Sequence, residues 1–379
     1  MNVPFKYLIF SRPSKRKKRG VFAVLTLLSV IYCTYLLIAS DIASSSRTLS
    51  QITHGPPRFD FIENQPYCNP PKPTKPSLFY SSSSCHTPNS PLATERDLYI
   101  SVFAYHPNPI CFCYSLVQSY LKLNTKAKLV FLLDEEYLST EYSEFHQFLA
   151  NNSISSFYYD FHQIHLGHPV NGRFVVISKF LDEYTSTLPI DRVWLLDSHD
   201  VILINDVFPL TSMSALHLIH EGCESTEPFY KYPSGEWLRD TLGFDIYNKL
   251  ENHVIINAGQ IGGAVNAVHK LIDLMIDCFD LSLRGSVWGL DQSCLNYVVY
   301  SKRVYCAGIE LQPFNMMNSS IGLLGCHGPH RFDYSLEENK LVDEVGCELS
   351  MAHHWHDHYS PQCWVLANLG GEAMKCVHL

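Results

Sequence analysis

From residue 96 onwards, short apolar runs alternate with longer segments in which apolar residues recur at helical spacing. Short apolar runs bounded by turn residues are typical of buried strands, and longer amphipathic segments are typical of helices packed on a sheet. Strands are predicted at 98–104, 128–133, 156–160 and 193–196, and helices near 111–123, at 135–150 and within 176–187. This alternation predicts an α/β domain with parallel strands, whose ligands would bind at the carboxyl ends of those strands.

The N-terminal part of the chain has a different pattern. Residues 21–40 contain no charge, and as a helix they would be ~30 Å long, the thickness of a hydrocarbon core. The basic cluster 15–19 precedes them, so residues 1–20 are predicted to be a cytosolic tail and residues 21–40 a signal anchor of type II topology. A cleaved signal peptide is the alternative, with Ala39 or Ala43 near the cut, although its apolar region usually has only about 7–15 residues.

Residues 41–95 are rich in Pro and Ser and show no sustained periodicity, which predicts an extended lumenal stem. The stem would hold a domain at 96–379 away from the bilayer. Twelve of the 13 cysteines follow the anchor, in what this topology makes an oxidising lumen. Several disulfides are therefore expected, with their pairing open. Asn151 and Asn318 begin glycosylation triplets that are consistent with this compartment.

The charge balance excludes one class of partner. Seven Lys/Arg and no acid precede residue 41, and removing them from the formal net charge of −9 leaves −16 on the remainder. A phosphate backbone would be repelled by such a body, so no nucleic-acid partner is expected.

The segment 193–208 (VWLLDSHDVILINDVF) carries the clearest candidate chemistry. Asp197 and Asp200 interrupt an apolar run at the point where the buried strand should end. Carboxylates placed there, with His199 beside them, can bind a hard divalent cation such as Mn²⁺ or Mg²⁺, and this cation can neutralise a diphosphate. A solvated turn between two strands is the alternative, since Asp and Ser are favoured in turns.

Three blocks in this order resemble motifs of the GT-A glycosyltransferases. Segment 193–208 resembles their Asp-x-Asp region, in the variant Asp-x-(Arg/His)-Asp-Val followed by an Asp-(Pro/Val)-Phe element. The block 256–263 (INAGQIGG) resembles the Asn-(Ala/Ser)-Gly block that lines the sugar pocket, and 289–292 (GLDQ) resembles a later Asp-Gln pair. The resemblance covers roughly residues 98–358. It implies a GT-A fold, in which a mixed sheet is flanked by helices, as the catalytic domain of a Golgi or endoplasmic-reticulum membrane enzyme.

The resemblance also implies roles for individual residues. Those expected to line the donor site are Asn257, Ala258, Gly259, Gly262, Gly263 and Gln292, and Asp291 is expected to contact the sugar. Glycines permit a close backbone approach or a positive φ, and a helix predicted from about residue 265 would present its N-terminus to an anionic or hydroxyl-rich ligand. The alternatives are a tight turn with close strand-to-helix packing for the glycines and a helix N-cap for Asp291.

A histidine cluster lies near the C-terminus, in the segment 351–358 (MAHHWHDH). In several GT-A enzymes a late histidine completes the metal site, and His353 fits that place best, with His354 as the alternative register. The metal ligands implied are therefore Asp197, His199, Asp200 and His353. A structural Zn²⁺ site that uses Cys347 or Cys363, or a plain surface cluster, is also compatible with the tract.

Further candidates carry a weaker signal. Arg173 or Lys179 could neutralise phosphate, Glu221 could position the acceptor, and Tyr105 could stack on a nucleotide base. A solvated helix face for Lys179, an ordinary strand-end acid for Glu221 and core packing for Tyr105 are the simpler explanations.

The expected function is transfer of a sugar from a nucleotide-diphosphate sugar to a lumenal glycan or glycoprotein. Mn²⁺ or Mg²⁺ would offset the charge on the departing nucleotide as the glycosidic bond breaks through an oxocarbenium-like state. The resemblance favours retaining chemistry. One alternative is a lumenal metal-dependent hydrolase, which would need a further acid or histidine at the end of the first strand. The other is a membrane-tethered binding protein that kept the fold without turnover.

Overall fold

The computed structural model describes residues 90–104, 106–164, 169–220, 233–282, 288–314, 321–323, 332–335, 337–343, 346–357 and 359–376. The predicted tail, anchor and most of the stem lie outside these residues, as do Tyr105, Glu221 and Asn318. Within the described ranges, no helix combines the length and the hydropathy needed to cross a bilayer.

Twelve strands form in the described residues. In chain order they are β1 Asp97–Phe103, β2 Lys128–Asp134, β3 Ser155–Tyr159, β4 Arg192–Leu196, β5 Val201–Leu203, β6 Leu216–His220, β7 Ile256–Ala264, β8 Leu311–Phe314, β9 Ile321–Leu323, β10 Phe332–Ser335, β11 Lys340–Asp343 and β12 Met351–His353. Seven of them make one mixed sheet in the order β3-β2-β1-β4-β7-β6-β8. Strands β1 to β4 are parallel, whereas β7 is antiparallel to both of its neighbours. The predicted α/β class and the four predicted parallel strands are confirmed.

Helices cover both faces of this sheet. They are α1 Pro109–Lys122, α2 Ser143–Asn151, α3 Pro169–Thr185, α4 Pro233–Leu242, α5 Phe244–Leu250, α6 Val265–Leu281, α7 Leu290–Tyr300, α8 Arg303–Cys306, α9 Tyr359–Leu369 and α10 Gly371–Cys376. Alternate residues of β1 enter two separate cores: Ile100 packs with α3 and α6, and Tyr99 packs with α1. This alternation follows from the period of two along a strand.

The helix predicted at 135–150 is only partly correct. Two 3₁₀ turns, Glu135–Leu138 and Thr140–Tyr142, precede α2. The break lies at Ser139, which is extended (φ −65°, ψ 153°), and the first turn is fixed by Asp134, whose side chain accepts a 2.7 Å hydrogen bond from the Glu136 N–H. Periodicity alone does not reveal such a capped interruption.

A smaller sheet brings the C-terminal part of the chain to the end of β4. Strand β12 pairs antiparallel with β5 and parallel with β9, and His353 lies opposite Val201. Because Val201 directly follows Asp200, this pairing places the late histidine beside the acidic segment.

Two disulfides tie helices together: Cys111–Cys376 joins α1 to α10, and Cys278–Cys294 joins α6 to α7. The expectation of disulfides is confirmed for these pairs, and they indicate an oxidising compartment. Among the described cysteines, Cys113 and Cys363 are free thiols.

Residues just before β1 are in contact with the domain. Arg192 is fully buried and forms a two-pronged ion pair with Asp97, with both nitrogen–oxygen distances 2.8 Å. Its remaining N–H groups donate to four carbonyl oxygens, those of Phe208 (2.6 Å), Pro91 (3.1 Å), Thr211 (3.2 Å) and Leu92 (3.3 Å). Residues 90–95, which the sequence assigned to the stem, are therefore packed onto the domain, because a buried guanidinium needs these acceptors.

Candidate metal centre

A cleft of about 380 Å³ lies at the carboxyl ends of β1 and β4. Most of the residues singled out from the sequence line it: Arg173, Asp197, His199, Asp200, Asn257, Ala258, Gly259, Asp291, Gln292 and His353. The position agrees with the expectation that ligands of such sheets bind beyond the carboxyl ends of parallel strands.

Within the cleft, Asp200, His353 and His354 form a group that could bind a metal ion. The Nε2 atom of His353 lies 3.2 Å from Asp200 Oδ1, and the Nδ1 atom of His354 lies 3.2 Å from Asp200 Oδ2. Successive residues of a strand normally point to opposite faces. His354 follows the end of β12 with a positive φ of 56°, and the two imidazole rings stack 4.3 Å apart, so both rings face Asp200. The sequence favoured one histidine of this pair, and the structure brings both to the same carboxylate.

His353 is buried in an unusual environment. Its Nε2 atom lies 3.2 Å from Asp200 and 3.4 Å from Asp197, yet neither carboxylate is aligned to accept a hydrogen bond from the ring. Its Nδ1 atom has no hydrogen-bond partner among the described residues. A ring nitrogen that faces two carboxylates can pair with them as an imidazolium or, when neutral, bind a cation together with them, so the residues present fit a metal ion.

Charges around His353 alter its titration. Burial by itself would lower the pKa of His353, but the carboxylates of Asp200 and Asp197 outweigh burial and raise the pKa to about 10. Without a metal, the ring therefore carries a proton at neutral pH. A histidine coordinates a metal through a neutral nitrogen, so a bound cation would take the place of this proton.

Both carboxylates are ionised at neutral pH despite their burial. Burial raises the pKa of Asp200, but His353 more than compensates and holds this pKa well below its usual range. For Asp197 the opposing charge is Arg173, which also brings the pKa below the ordinary value. Two ionised carboxylates next to an imidazole make a strong local attraction for a divalent cation.

Arg173 joins two acids of the cleft. Its NH1 group pairs with Asp197 Oδ1, and its NH2 group donates to Asp291 Oδ2 at 2.9 Å and to the Ala258 carbonyl oxygen at 3.1 Å. Burial raises the pKa of Asp291, although Arg173 opposes this shift. Gly289, and not Asp291, occupies the N-cap position of α7, but the Asp291 side chain accepts a 2.8 Å hydrogen bond from the Gln292 N–H in the first turn of this helix.

Gly259 is the glycine that the cleft requires. A Cβ atom at this position would lie 2.5 Å from Asp197 Oδ2 and 2.5 Å from His353 Cε1. The Gly259 carbonyl oxygen accepts a 3.1 Å hydrogen bond from the Asp197 N–H, and its own N–H donates to Asn257 Oδ1 at 2.7 Å. Only a residue without a side chain allows β7 to approach the two candidate ligands so closely.

The other two glycines of this block lie away from the cleft. A Cβ atom on Gly262 would lie 2.2 Å from the buried indole of Trp194, and Gly263 (φ 139°) has the Ala215 carbonyl oxygen 2.3 Å from the same position. These two glycines allow close packing within the domain, in line with the alternative of close packing given above. Ala264 pairs with the first residue of β4, so the N-terminus of α6 lies at the opposite edge of the sheet. The expected contact between this helix end and a ligand is therefore absent from the described part of the cleft.

Three other residues that the sequence singled out lie outside the metal group: His199, Lys179 and Cys347. His199 lines the cleft, but its ring stacks on Phe112 with centroids 5.2 Å apart, and burial lowers its pKa. Lys179 is exposed on α3 and does not line the cleft. Cys347 is disulfide-bonded, which removes it as a zinc ligand, and the described metal group contains no cysteine.

Helix α7 positions the floor of the cleft through buried amides. Gln292 accepts a 3.3 Å hydrogen bond from the Ala258 N–H and donates a 3.0 Å bond to Ser234. One turn later, Asn296 exchanges two 2.8 Å hydrogen bonds with the backbone of Ile256. Asn296 was not expected from the sequence, where its only signal was the spacing of four residues from Gln292 on one helix face.

Comparisons with models of known protein families and with curated proteins find no match to this chain. Assignment of a function therefore depends on the cleft and on the short motifs that line it.

Proposed function

We propose that this protein is a metal-dependent glycosyltransferase with a GT-A fold. It would transfer a sugar from a nucleotide-diphosphate sugar to a glycan or glycoprotein in the lumen of the Golgi or endoplasmic reticulum, anchored by residues 21–40. One observation carries the proposal. The acids after β4, the Asn-Ala-Gly block of β7, the Asp-Gln pair of α7 and the late histidines are far apart in sequence, yet they line a single cleft.

The donor set supports a hard divalent cation. Asp200, His353 and His354 would hold it, with Asp197 adjacent. Carboxylate oxygens suit Mn²⁺ and Mg²⁺, whereas imidazole nitrogens are typical ligands of transition metals, so Mn²⁺ is the better match of the two cations. When bound, the cation would stabilise the negative charge that develops on the departing nucleotide.

The remaining residues would bind and orient the donor. Asn257 and Gln292 offer amide groups in the cleft, and the absence of a side chain at Gly259 lets the donor approach the metal group. Arg173 donates a hydrogen bond to Asp291, and the Asp291 carboxylate would in turn accept a hydrogen bond from a hydroxyl group of the sugar. Arg173 also keeps a positive charge between the carboxylates of Asp197 and Asp291, which would limit their repulsion of an anionic substrate.

The composition of the cleft disfavours the hydrolase alternative. A second metal would need an acid or histidine at the end of β1, but this strand contributes Val102 and Phe103, followed by Ala104. Among the described residues, a single metal group is present. The next histidine along, His106, packs against Phe112 with centroids 4.3 Å apart and is not part of that group.

The test is an assay of the full-length chain in a detergent that has no sugar headgroup. A panel of nucleotide sugars is incubated with Mn²⁺ or with EDTA, and nucleotide release and sugar incorporation into mixed glycoprotein glycans are followed. We expect release with at least one donor, stimulated by acceptor and abolished by EDTA or by Asp200→Asn. Turnover of a phosphoester or glycoside panel, without turnover of any nucleotide sugar, would contradict the proposal and support a hydrolase.

A further inference from the structure

Two tryptophans stand out by their exposure. The sequence contains five, of which Trp194, Trp355 and Trp364 are buried. Trp288 is 52% exposed and Trp237 is half-buried, and both line the cleft. Ligand sites are concave and lined largely by apolar and aromatic side chains, and adjacent exposed apolar groups often mark such a site. The accessible indoles of this chain are therefore concentrated where a substrate would bind.

The position of Trp237 is fixed by the backbone. Gly289, the N-cap of α7, has a positive φ of 79°, and a Cβ atom there would lie 2.5 Å from both Cδ2 and Cε3 of Trp237. The indole of Trp237 is thus seated directly against a glycine that has no room for a side chain. Trp288 immediately precedes this glycine, so the indole of Trp237, which comes from α4, and that of Trp288 both lie near the beginning of α7. A ring that is already fixed loses little conformational entropy when a ligand binds.

Polar groups next to the indoles favour one class of ligand. Asp291 and Gln292 follow Gly289 directly and line the same cleft, and they offer a carboxylate and an amide to hydroxyl groups. A pyranose ring presents C–H groups on one face and hydroxyls at its edge. The negative face of an indole attracts such polarised C–H groups, and the carboxylate and amide suit the hydroxyls.

We propose that Trp237 and Trp288 form an aromatic platform on which a pyranose ring stacks, with its hydroxyls bound by Asp291 and Gln292. This inference deepens the proposed function, and it rests on that function only in requiring that the substrate contain a sugar. The ring could belong to the donor or to the acceptor glycan, because the chemistry of the two is the same.

The test uses quenching of intrinsic tryptophan fluorescence by acrylamide in the full-length chain, in a detergent without a sugar headgroup. Because the other three tryptophans are buried, acrylamide reports mainly on the platform. Three sets of probes are compared: methyl pyranosides and disaccharides alone, nucleotide sugars with Mn²⁺, and the corresponding nucleotide diphosphates with Mn²⁺. Binding of a ring over the indoles should reduce quenching.

Protection by free saccharides would assign the platform to the acceptor. Protection by a nucleotide sugar, without protection by its nucleotide diphosphate, would assign it to the donor sugar. In either case, Trp288→Ala should bind the protecting ligand about tenfold more weakly, and Trp288→Phe should restore most of the affinity. The matched control is Phe244→Ala, which removes another aromatic side chain, 65% exposed, that does not line the cleft.

Three results would overturn the platform. These are unchanged quenching with every sugar-bearing probe, equal protection by nucleotide diphosphates alone, or parental affinity in Trp288→Ala. Failure of the platform and failure of the transferase remain separable. If saccharides protect the indoles but no sugar is transferred, the transferase proposal is refuted and the platform stands. If sugar is transferred and Trp288→Ala transfers it at the parental rate, the platform is refuted and the transferase proposal stands.

Discussion

Replacing Gly259 with alanine should disable the metal centre without unfolding the protein. The added Cβ would lie 2.5 Å from Asp197 Oδ2 and 2.5 Å from His353 Cε1, and ordinary contact begins at about 3.4 Å. Each side chain must therefore retreat by about 0.9 Å. Both contacts are to side chains of the candidate metal group or its neighbour, so the displacement falls on the site and not on the backbone of the sheet.

The size of the effect follows from the tolerance of metal sites. Metal–ligand distances vary by only about 0.2 Å, so a shift near 0.9 Å removes His353 from coordinating range. A misplacement of about 1 Å in an active site costs roughly 100-fold in rate, equivalent to about 2.7 kcal/mol of transition-state stabilisation. We therefore expect Gly259→Ala to transfer sugar roughly 100-fold more slowly at a fixed Mn²⁺ concentration.

The assay combines nucleotide release with direct Mn²⁺ binding, measured from the electron paramagnetic resonance signal of free Mn²⁺, and with the melting temperature. Gly371→Ala is the matched control, because nothing lies within 4 Å of its added Cβ and its φ is not positive. Gly262→Ala is a second control, which is expected to change stability and not metal binding. Its Cβ would meet the buried indole of Trp194, so it should lower the melting temperature by roughly 4–8 °C, for about 2 kcal/mol of overpacking, and leave the Mn²⁺ affinity of the folded protein intact.

A Gly259→Ala protein with parental Mn²⁺ binding would refute the reasoning. It would mean that Asp197 and His353 do not share a cation beside β7. A variant that binds Mn²⁺ weakly but also melts far below the Gly262→Ala protein would point instead to a general packing defect.

Three further predictions concern the same domain and its topology. Asp197→Asn and Asp200→Asn should each lower sugar transfer by about two to three orders of magnitude at normal expression, because metal charge stabilisation is lost; a parental rate in either variant rules out that carboxylate as a ligand. His353→Ala and His354→Ala should each raise the Mn²⁺ concentration for half-maximal activity roughly tenfold, and His354→Ala should leave the melting temperature of the metal-free protein nearly unchanged. Stoichiometric zinc together with a large fall in melting temperature would indicate a structural zinc site. A tag within residues 1–20 should be digested by protease added outside sealed vesicles, whereas protection of the tag would reverse the predicted orientation.

Strands β1, β2 and β4 were predictable because they are largely continuous apolar runs, which is what a strand buried on both faces requires. Strand β3 (SSFYY) lies at the edge of the sheet and is only partly buried, and its aromatic residues made it recognisable. Strand β7 could not be recognised in this way. Its sequence, INAGQIGGA, contains three glycines and little apolar alternation, and nothing in it specifies that the strand runs antiparallel to β4.

That direction explains why two of the predicted glycines and the N-terminus of α6 lie away from the cleft. If β7 were parallel to β4, the N-terminus of α6 would follow it into the cleft. Since β7 is antiparallel, its beginning at Asn257 and Gly259 lies at the cleft, and Gly262, Gly263 and α6 lie towards the opposite edge. Sequence motifs therefore identified the correct block, but only the topology separates the glycine that meets the ligands from those that pack against Trp194 and Ala215.

The histidines were ambiguous for a conformational reason. Two adjacent residues of a regular strand cannot face the same carboxylate, so the sequence required a choice between His353 and His354. The positive φ of His354 removes that restriction, and a non-glycine residue with this conformation is not foreseeable from a tract of histidines. Backbone strain of this kind persists where surrounding structure enforces it, and it is concentrated at functional sites.

The candidate metal centre is completed by the last part of the chain, and this couples it to the fold of the C-terminal segment. Asp197 and Asp200 follow β4, whereas His353 is the last residue of β12 and His354 comes directly after it; β12 pairs with β5 and β9 and packs its side chains into the core. Beyond β12, helix α10 is fastened to α1 by the disulfide Cys111–Cys376, and α1 also carries Phe112 into the cleft. The disulfide therefore closes a loop of the chain that includes every candidate ligand, and it restricts the conformations open to the segment that carries the histidines.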